Sequence, residues 1–214
     1  MKAALDAAAQ LDEPEIVGLV KGWGAITAFI AGDPNLALCR FDEARAVDCG
    51  PYSLASFHRL YGEAFVRLAL EEVDESAALF REAADVLHPS SPTADARDLH
   101  QVFWSARRGE IDDLEQRAED AIEMVQSGAA PSFVPDVALA VAERLERSHR
   151  SEAAAELVAA LHRHPLTHPL IYHRYRQLRD RLPGRPAPAR RVPAPELHQL
   201  TMHHINGLRG ATHA

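Results

Sequence analysis

Along most of this chain, apolar and small residues recur at intervals of three and four, in segments broken by glycine, proline or acidic turns. That is the period of helices with one buried face. The clearest case is Gly62 to Leu87. Gly62-x-x-Phe65 is followed by the acidic turn Glu71-Glu72-Val73-Asp74-Glu75, then Ser76-x-x-x-Phe80-x-x-Ala83, with Pro89 just beyond. Ala77, Phe80, Ala83, Ala84 and Leu87 share one face of the second segment. Pro89 has no amide hydrogen and its ring clashes with a preceding turn, so it ends that helix. The stretch predicts a helix-turn-helix hairpin in which small side chains let the partner helix approach.

The pattern recurs. Ala37-x-x-x-Phe41-x-x-Ala44 precedes it, and Leu114-x-x-x-Ala118-x-x-Ala121 and Ala154-x-x-x-Val158-x-x-Leu161 follow, so the middle positions step by 39, 38 and 40 residues. A period of that length predicts a helical solenoid. Each unit resembles a tetratricopeptide repeat stretched beyond its usual length of about 34 residues. The second copy carries the resemblance best. The first has Gly32-Asp33 in its turn, the third Gly109-Glu110, and the fourth Arg147-Ser148-His149; the third has Ala118 where an aromatic is usual.

The remaining segments fit around these hairpins. Ala3 to Leu11 reads as the second helix of a hairpin whose first is missing, either a half-repeat cap or a part of something longer. Glu15 to Ala31 is a helix with Ile16, Leu19, Val20, Trp23, Ile26, Thr27 and Ile30 turned inward. Asp33 caps the next helix and Pro34 takes its first position. Leu54, Phe57, Tyr61, Ala64, Phe65 and Leu68 form a wide apolar face, and Thr93 or Asp95 caps the helix that carries Phe103. Gly128 is a helix stop. Leu170 to Leu182 makes a capping helix with Ile171, Tyr172, Tyr175, Leu178 and Leu182 inward and Arg174, Asp180 and Arg181 outward. Residues 183–195 hold five prolines in thirteen positions, an extended linker. In the tail, 196–208 can form a short helix with Leu197, Leu200, Ile205 and Leu208 on one side. Alone it is marginal, so it docks or stays disordered. The expected fold class is thus all-α, a right-handed α-solenoid of about four TPR-like antiparallel hairpins plus a partial N-terminal one. It covers 1–182, then a linker over 183–195 and a tail over 196–214.

Charge divides unevenly along this plan. Residues 1–160 carry 14 basic and 29 acidic side chains, whereas 161–214 carry 9 basic and 2 acidic, so the end of the chain is opposite in sign to its body. A solvated arginine-rich tail lying against its own acidic body is one reading. No nucleic-acid module accompanies the basic residues, so no direct nucleic-acid partner is expected. Cys39 and Cys49, ten apart on one helix and its end, would stand roughly 15 Å apart, too far to pair; they read as reduced, buried thiols. With no signal peptide and no long apolar run, the chain reads as cytoplasmic, without a membrane partner.

Candidate chemistry is sparse. His162, His164, His168 and His173 gather around Pro165 and Pro169, but His162 and His164 diverge on a helix and nothing completes a zinc set. A nucleophile elbow, a phosphate loop and a dinucleotide fingerprint are all lacking. The reading is no metal, no cofactor and no enzyme activity. The repeat resemblance implies peptide binding in a concave groove. Grip on a partner's C-terminal carboxylate, that family's best-known mode, needs lysines and asparagines from successive first helices, and two of each do not supply them. The groove residues are then Tyr61, Phe65, Arg67, Phe103 and Arg107. The phrases Leu11-Asp12-Glu13-Pro14-Glu15 and Gly32-Asp33-Pro34-x-x-Ala37-Leu38 are similar to the repeat arms of bacterial signal-transduction ATPases and LuxR-type regulators. That resemblance implies a regulatory scaffold with a protein or peptide partner, and leaves a homo-oligomer open. The competing expectation is a sensor that holds a peptide or small molecule in the concave face.

Overall fold

A computed structural model describes residues 7, 13–50, 52–86, 101–128, 133–166, 168–184 and 191–211. Apart from Ala7, the expected first helix over Ala3 to Leu11 lies outside these, as do the loop and cap between Pro89 and Asp95 and the middle of the proline linker. The described residues form ten helices and no strand: α1 Pro14–Ile30, α2 Pro34–Arg45, α3 Leu54–Ala69, α4 Val73–Val86, α5 Val102–Arg108, α6 Ile111–Ser127, α7 Val134–Arg147, α8 Ser151–Ala160, α9 Pro169–Arg181 and α10 Ala194–Ala211. They fall into two compact units, residues 1–97 and 98–214.

Four short turns make hairpins of α1 with α2, α3 with α4, α5 with α6, and α7 with α8, and the turns share one geometry. Gly32, Glu71, Gly109 and His149 are all left-handed, with φ of 94°, 64°, 77° and 59°. Each stands nine residues before the matching middle position Phe41, Phe80, Ala118 or Val158. The following amide reaches back each time to a carbonyl five residues earlier: Asp33 to Ala28, Glu72 to Arg67, Glu110 to Ser105 and Arg150 to Leu145, at 2.9–3.0 Å. This is the Schellman closure, which satisfies carbonyls that a helix end leaves open. The period in the side chains is therefore also a period in the backbone.

In the first unit α3 packs against α1, α2 and α4. The Asp33 carboxylate accepts the Leu36 amide at 2.9 Å, as expected of a cap. Glu15, at the start of α1, closes the start of α3: its carboxylate accepts Ser53 Oγ at 2.6 Å and the Ala55 amide at 2.9 Å. Ser76 Oγ donates 2.8 Å to the Ala64 carbonyl and pins α4 to α3. Ala77, Phe80, Ala83 and Ala84 are all buried, on the face expected for them.

The buried face of α1 differs from the expected one. Ile16, Trp23 and Ile30 are 39%, 37% and 40% exposed, and Gly18, Gly22, Gly24, Ala25, Ile26, Ala28 and Phe29 are inside. Close approach selects glycine at position 18, where a Cβ would lie 2.7 Å from Cys49 Sγ and 3.0 Å from Ala55 Cβ. Leu54 also faces solvent. Cys39 is exposed and Cys49 half-buried, so the thiols are free but not both interior.

In the second unit α7 is the hub, packed against α5, α6, α8, α9 and α10. Every residue from Val134 to Glu143 is buried. Arg174 of α9, expected at solvent, is inside: its guanidinium pairs with the Glu143 carboxylate, with Nε 3.0 Å from Oε1. It also lies 5.1 Å from the centroid of the Phe103 ring. A cation placed this way is held by the carboxylate and by the negative face of the ring. Tyr172 of the same helix is outside instead.

Candidate interaction site

The five residues expected in a groove occupy two different units. Tyr61 and Phe65 are buried in the first unit, in an aromatic cluster with Phe57 and Phe80. Their edge-to-face and stacked contacts have centroids 5.0–5.6 Å apart. Phe103 is wholly buried beneath Arg174 in the second unit, and Arg107 is half-buried on α5. These three aromatics build cores and line no surface. Arg67 alone of the first-unit set reaches solvent, with Nη1 2.7 Å from Glu72 and Nη2 3.5 Å from Glu63.

A different groove emerges from the second unit. The second helices of its two hairpins, α6 and α8, leave a channel floored by α7, and α10 packs on all three. Leu197, Thr201, His204, Ile205 and Leu208 are buried along α10, one stripe at the helical period. Polar contacts flank the stripe. Arg209 Nη2 lies 2.6 Å from Asp112 and also meets Glu115, both of α6. His204 Nε2 is 3.2 Å from Glu156 of α8. Gly207 allows the Arg150 guanidinium to pass: a Cβ there would come within 3.0 Å of Nη2. His198 meets the Ala118 carbonyl and Glu119, while Arg209 meets Asp112 and Glu115, so α10 runs opposite to α6.

Burial lowers the pKa of His204, and this outweighs the Glu156 carboxylate; His203 and Arg150 push the same way as burial. His198 is lowered by burial as well, against the Ala118 carbonyl and Glu119. His164 is lowered by burial and by Arg191. All three are therefore harder to protonate in the fold than a free imidazole.

The first unit has the corresponding channel, α2 and α4 over α3, with a different floor. The two-period step from Phe80 to Val158 carries Arg59, Glu63 and Arg67 onto Val137, Val141 and Leu145. The latter three are buried apolar residues. In the first unit, Glu63 instead gathers Arg45 at 2.9 Å, Arg67 at 3.5 Å and Arg59 at 3.8 Å. An apolar floor suits an amphipathic helix; a charged fan does not.

A cleft of about 320 Å³ opens between α8 and α9, walled by Val158, Ala159, His162, Tyr175, Arg179 and Leu182. Among the described residues no group of three His, Cys, Asp or Glu side chains is placed to hold a metal ion, and no helix is long and apolar enough to cross a membrane. No family model matches this chain, and no curated protein or solved structure is significantly similar to it.

The docking of α10 was half legible. Its apolar stripe and the opposite charges of tail and body stand in the sequence, and three of the four stripe residues named there are buried. Which helices receive it was not, because the stripe specifies a face and not a partner.

Proposed function

We propose that this chain is a non-catalytic interaction module, a TPR-like solenoid that serves as a regulatory scaffold for a protein or peptide partner. The observation that carries this reading is the seated α10: an amphipathic helix lies in the channel between second helices, with its apolar stripe down and Arg209 on the acidic pair Asp112 and Glu115. The recurrent Schellman turns support the repeat half of the reading, since four hairpins with one turn geometry are what a repeat array requires. Helix-in-groove recognition is a general way for such a surface to bind. The test is capture of partners by the native chain and by an Ile205→Asp chain in which α10 is loosened. A partner recovered several-fold better by the loosened chain is the expected result. Equal recovery by both refutes the groove as the binding surface.

The α8–α9 cleft supports a second reading, a sensor for a small amphipathic ligand. Its wall is apolar apart from His162, Tyr175 and Arg179, which suits an apolar body bearing one anionic group. Thermal shifts with medium-chain carboxylates, abolished by Arg179→Ala, would favour it over the scaffold.

A further inference from the structure

We propose that α10 is a tethered stand-in for the helix of an interacting protein, and that the α6–α7–α8 channel admits that helix when α10 leaves. The proposal rests on the scaffold reading and names its partner's chemistry: an amphipathic helix with apolar residues spaced like Leu197, Ile205 and Leu208 and a basic residue near its C-terminal end.

Three observations meet here. The interface is mixed in character: Thr201 and His204 are buried beside Leu197 and Ile205, and Arg209 and His198 are held at the rim. That resembles a contact between separate molecules, with an apolar centre and a polar border, more than an interior. The attachment is one short stretch of chain, six residues between Gly184 and Arg191. At 18 residues, α10 is about 27 Å long, a complete ligand for a helix-binding channel.

Charge decides what sort of helix competes. Asp112, Glu115 and Glu119 make the α6 side of the rim acidic, while the α8 side carries Glu156 together with Arg150. A helix with acidic residues at the Arg209 position meets like charge there, and such a juxtaposition rejects a partner more strongly than attraction selects one. Tethering raises the local concentration of α10 to the millimolar range, so an untethered helix of equal affinity enters poorly until the tether is cut or α10 is drawn away.

The experiment uses the whole chain with a protease site placed within residues 185–190. After cleavage, a fluorescent peptide of residues 194–211 is added at about tenfold excess. Mass action between identical helices predicts that about nine-tenths of the seated fragment is replaced. Uncut chain should take up little. Peptide bearing Ile205→Asp should show no uptake, and Arg209→Glu should bind several-fold more weakly. The body should keep its circular dichroism when the fragment is washed out. The proposal is overturned if cut chain takes up no label, if the Ile205→Asp peptide enters equally well, or if the body unfolds once α10 departs. In those cases α10 is part of the core, while partner capture by the intact chain still judges the scaffold reading separately.

Discussion

The Glu143–Arg174 pair is the place where a substitution tests the packing of the second unit most sharply. The two side chains are only 10% and 5% exposed. Removing one partner leaves the other charged and buried, which costs about 3–5 kcal/mol. Arg174→Met and Glu143→Leu should each fall in that range, and Arg174→Met also loses the contact over Phe103. The double variant replaces both charges with apolar groups of similar volume, and for such swaps the net cost is about zero or even favourable. The expected coupling between the two sites is therefore at least about 6 kcal/mol, the sum of the two single costs, well beyond the few tenths seen between independent sites. Each unit carries one tryptophan, Trp23 in the first and Trp104 in the second. Guanidinium titration in a Trp23→Phe background thus reports on the second unit alone. If the double variant is destabilised by the sum of the singles, or if either single costs less than about 1 kcal/mol, the pair is not the buried, mutually dependent one described.

Three further outcomes follow from named contacts. Gly62→Ala should destabilise the first unit by about 1–2 kcal/mol by urea titration, because its Cβ would lie 2.9 Å from the Phe41 ring and 3.2 Å from Ile26 Cγ1. By contrast, Gly22→Ala meets nothing within 4 Å and should stabilise by up to about 1 kcal/mol. Among the left-handed turn residues, Glu71→Gly and His149→Gly should each raise stability by about 1 kcal/mol. Gly109→Ala should lower it by at least as much, with φ of 77° and Arg144 Nη2 2.7 Å from the new Cβ; unchanged thermal midpoints would contradict the turn geometry. Acid should loosen the second unit: His164, His198 and His204 are lowered in the fold, chiefly by burial, so the unfolded chain binds more protons. Their contribution is complete above about pH 6.5 and is lost as pH falls from there through the folded values, so a stability flat or rising in acid would refute it.

Legibility from the sequence tracked how local each interaction is. The turn at Gly32-Asp33, the cap on Leu36, the face of α4 and the close approach at Gly62 are set by residues a few positions apart, and all were readable. The orientation of α1 was not. That helix carries two apolar stripes, one of large residues and one of glycine and alanine joined by Ile26 and Phe29. The choice between them depends on how near α2 and α3 come. Polarity alone placed Arg174 outside, but its acceptor lies on another helix 31 residues away. The same limit moved the candidate site: aromatic spacing marked Tyr61, Phe65 and Phe103 as noticeable residues, but spacing cannot distinguish a side chain that lines a groove from one that fills a core.

The order of synthesis gives the α10 contact a further meaning. Leu208 and Arg209 leave the ribosome roughly fifty residues after α8, the last wall of the channel, has emerged. At about 5–20 residues per second, the nascent second unit spends seconds with its channel uncovered. A partner helix present at that moment meets no rival, so a complex made during translation could form that the finished chain resists.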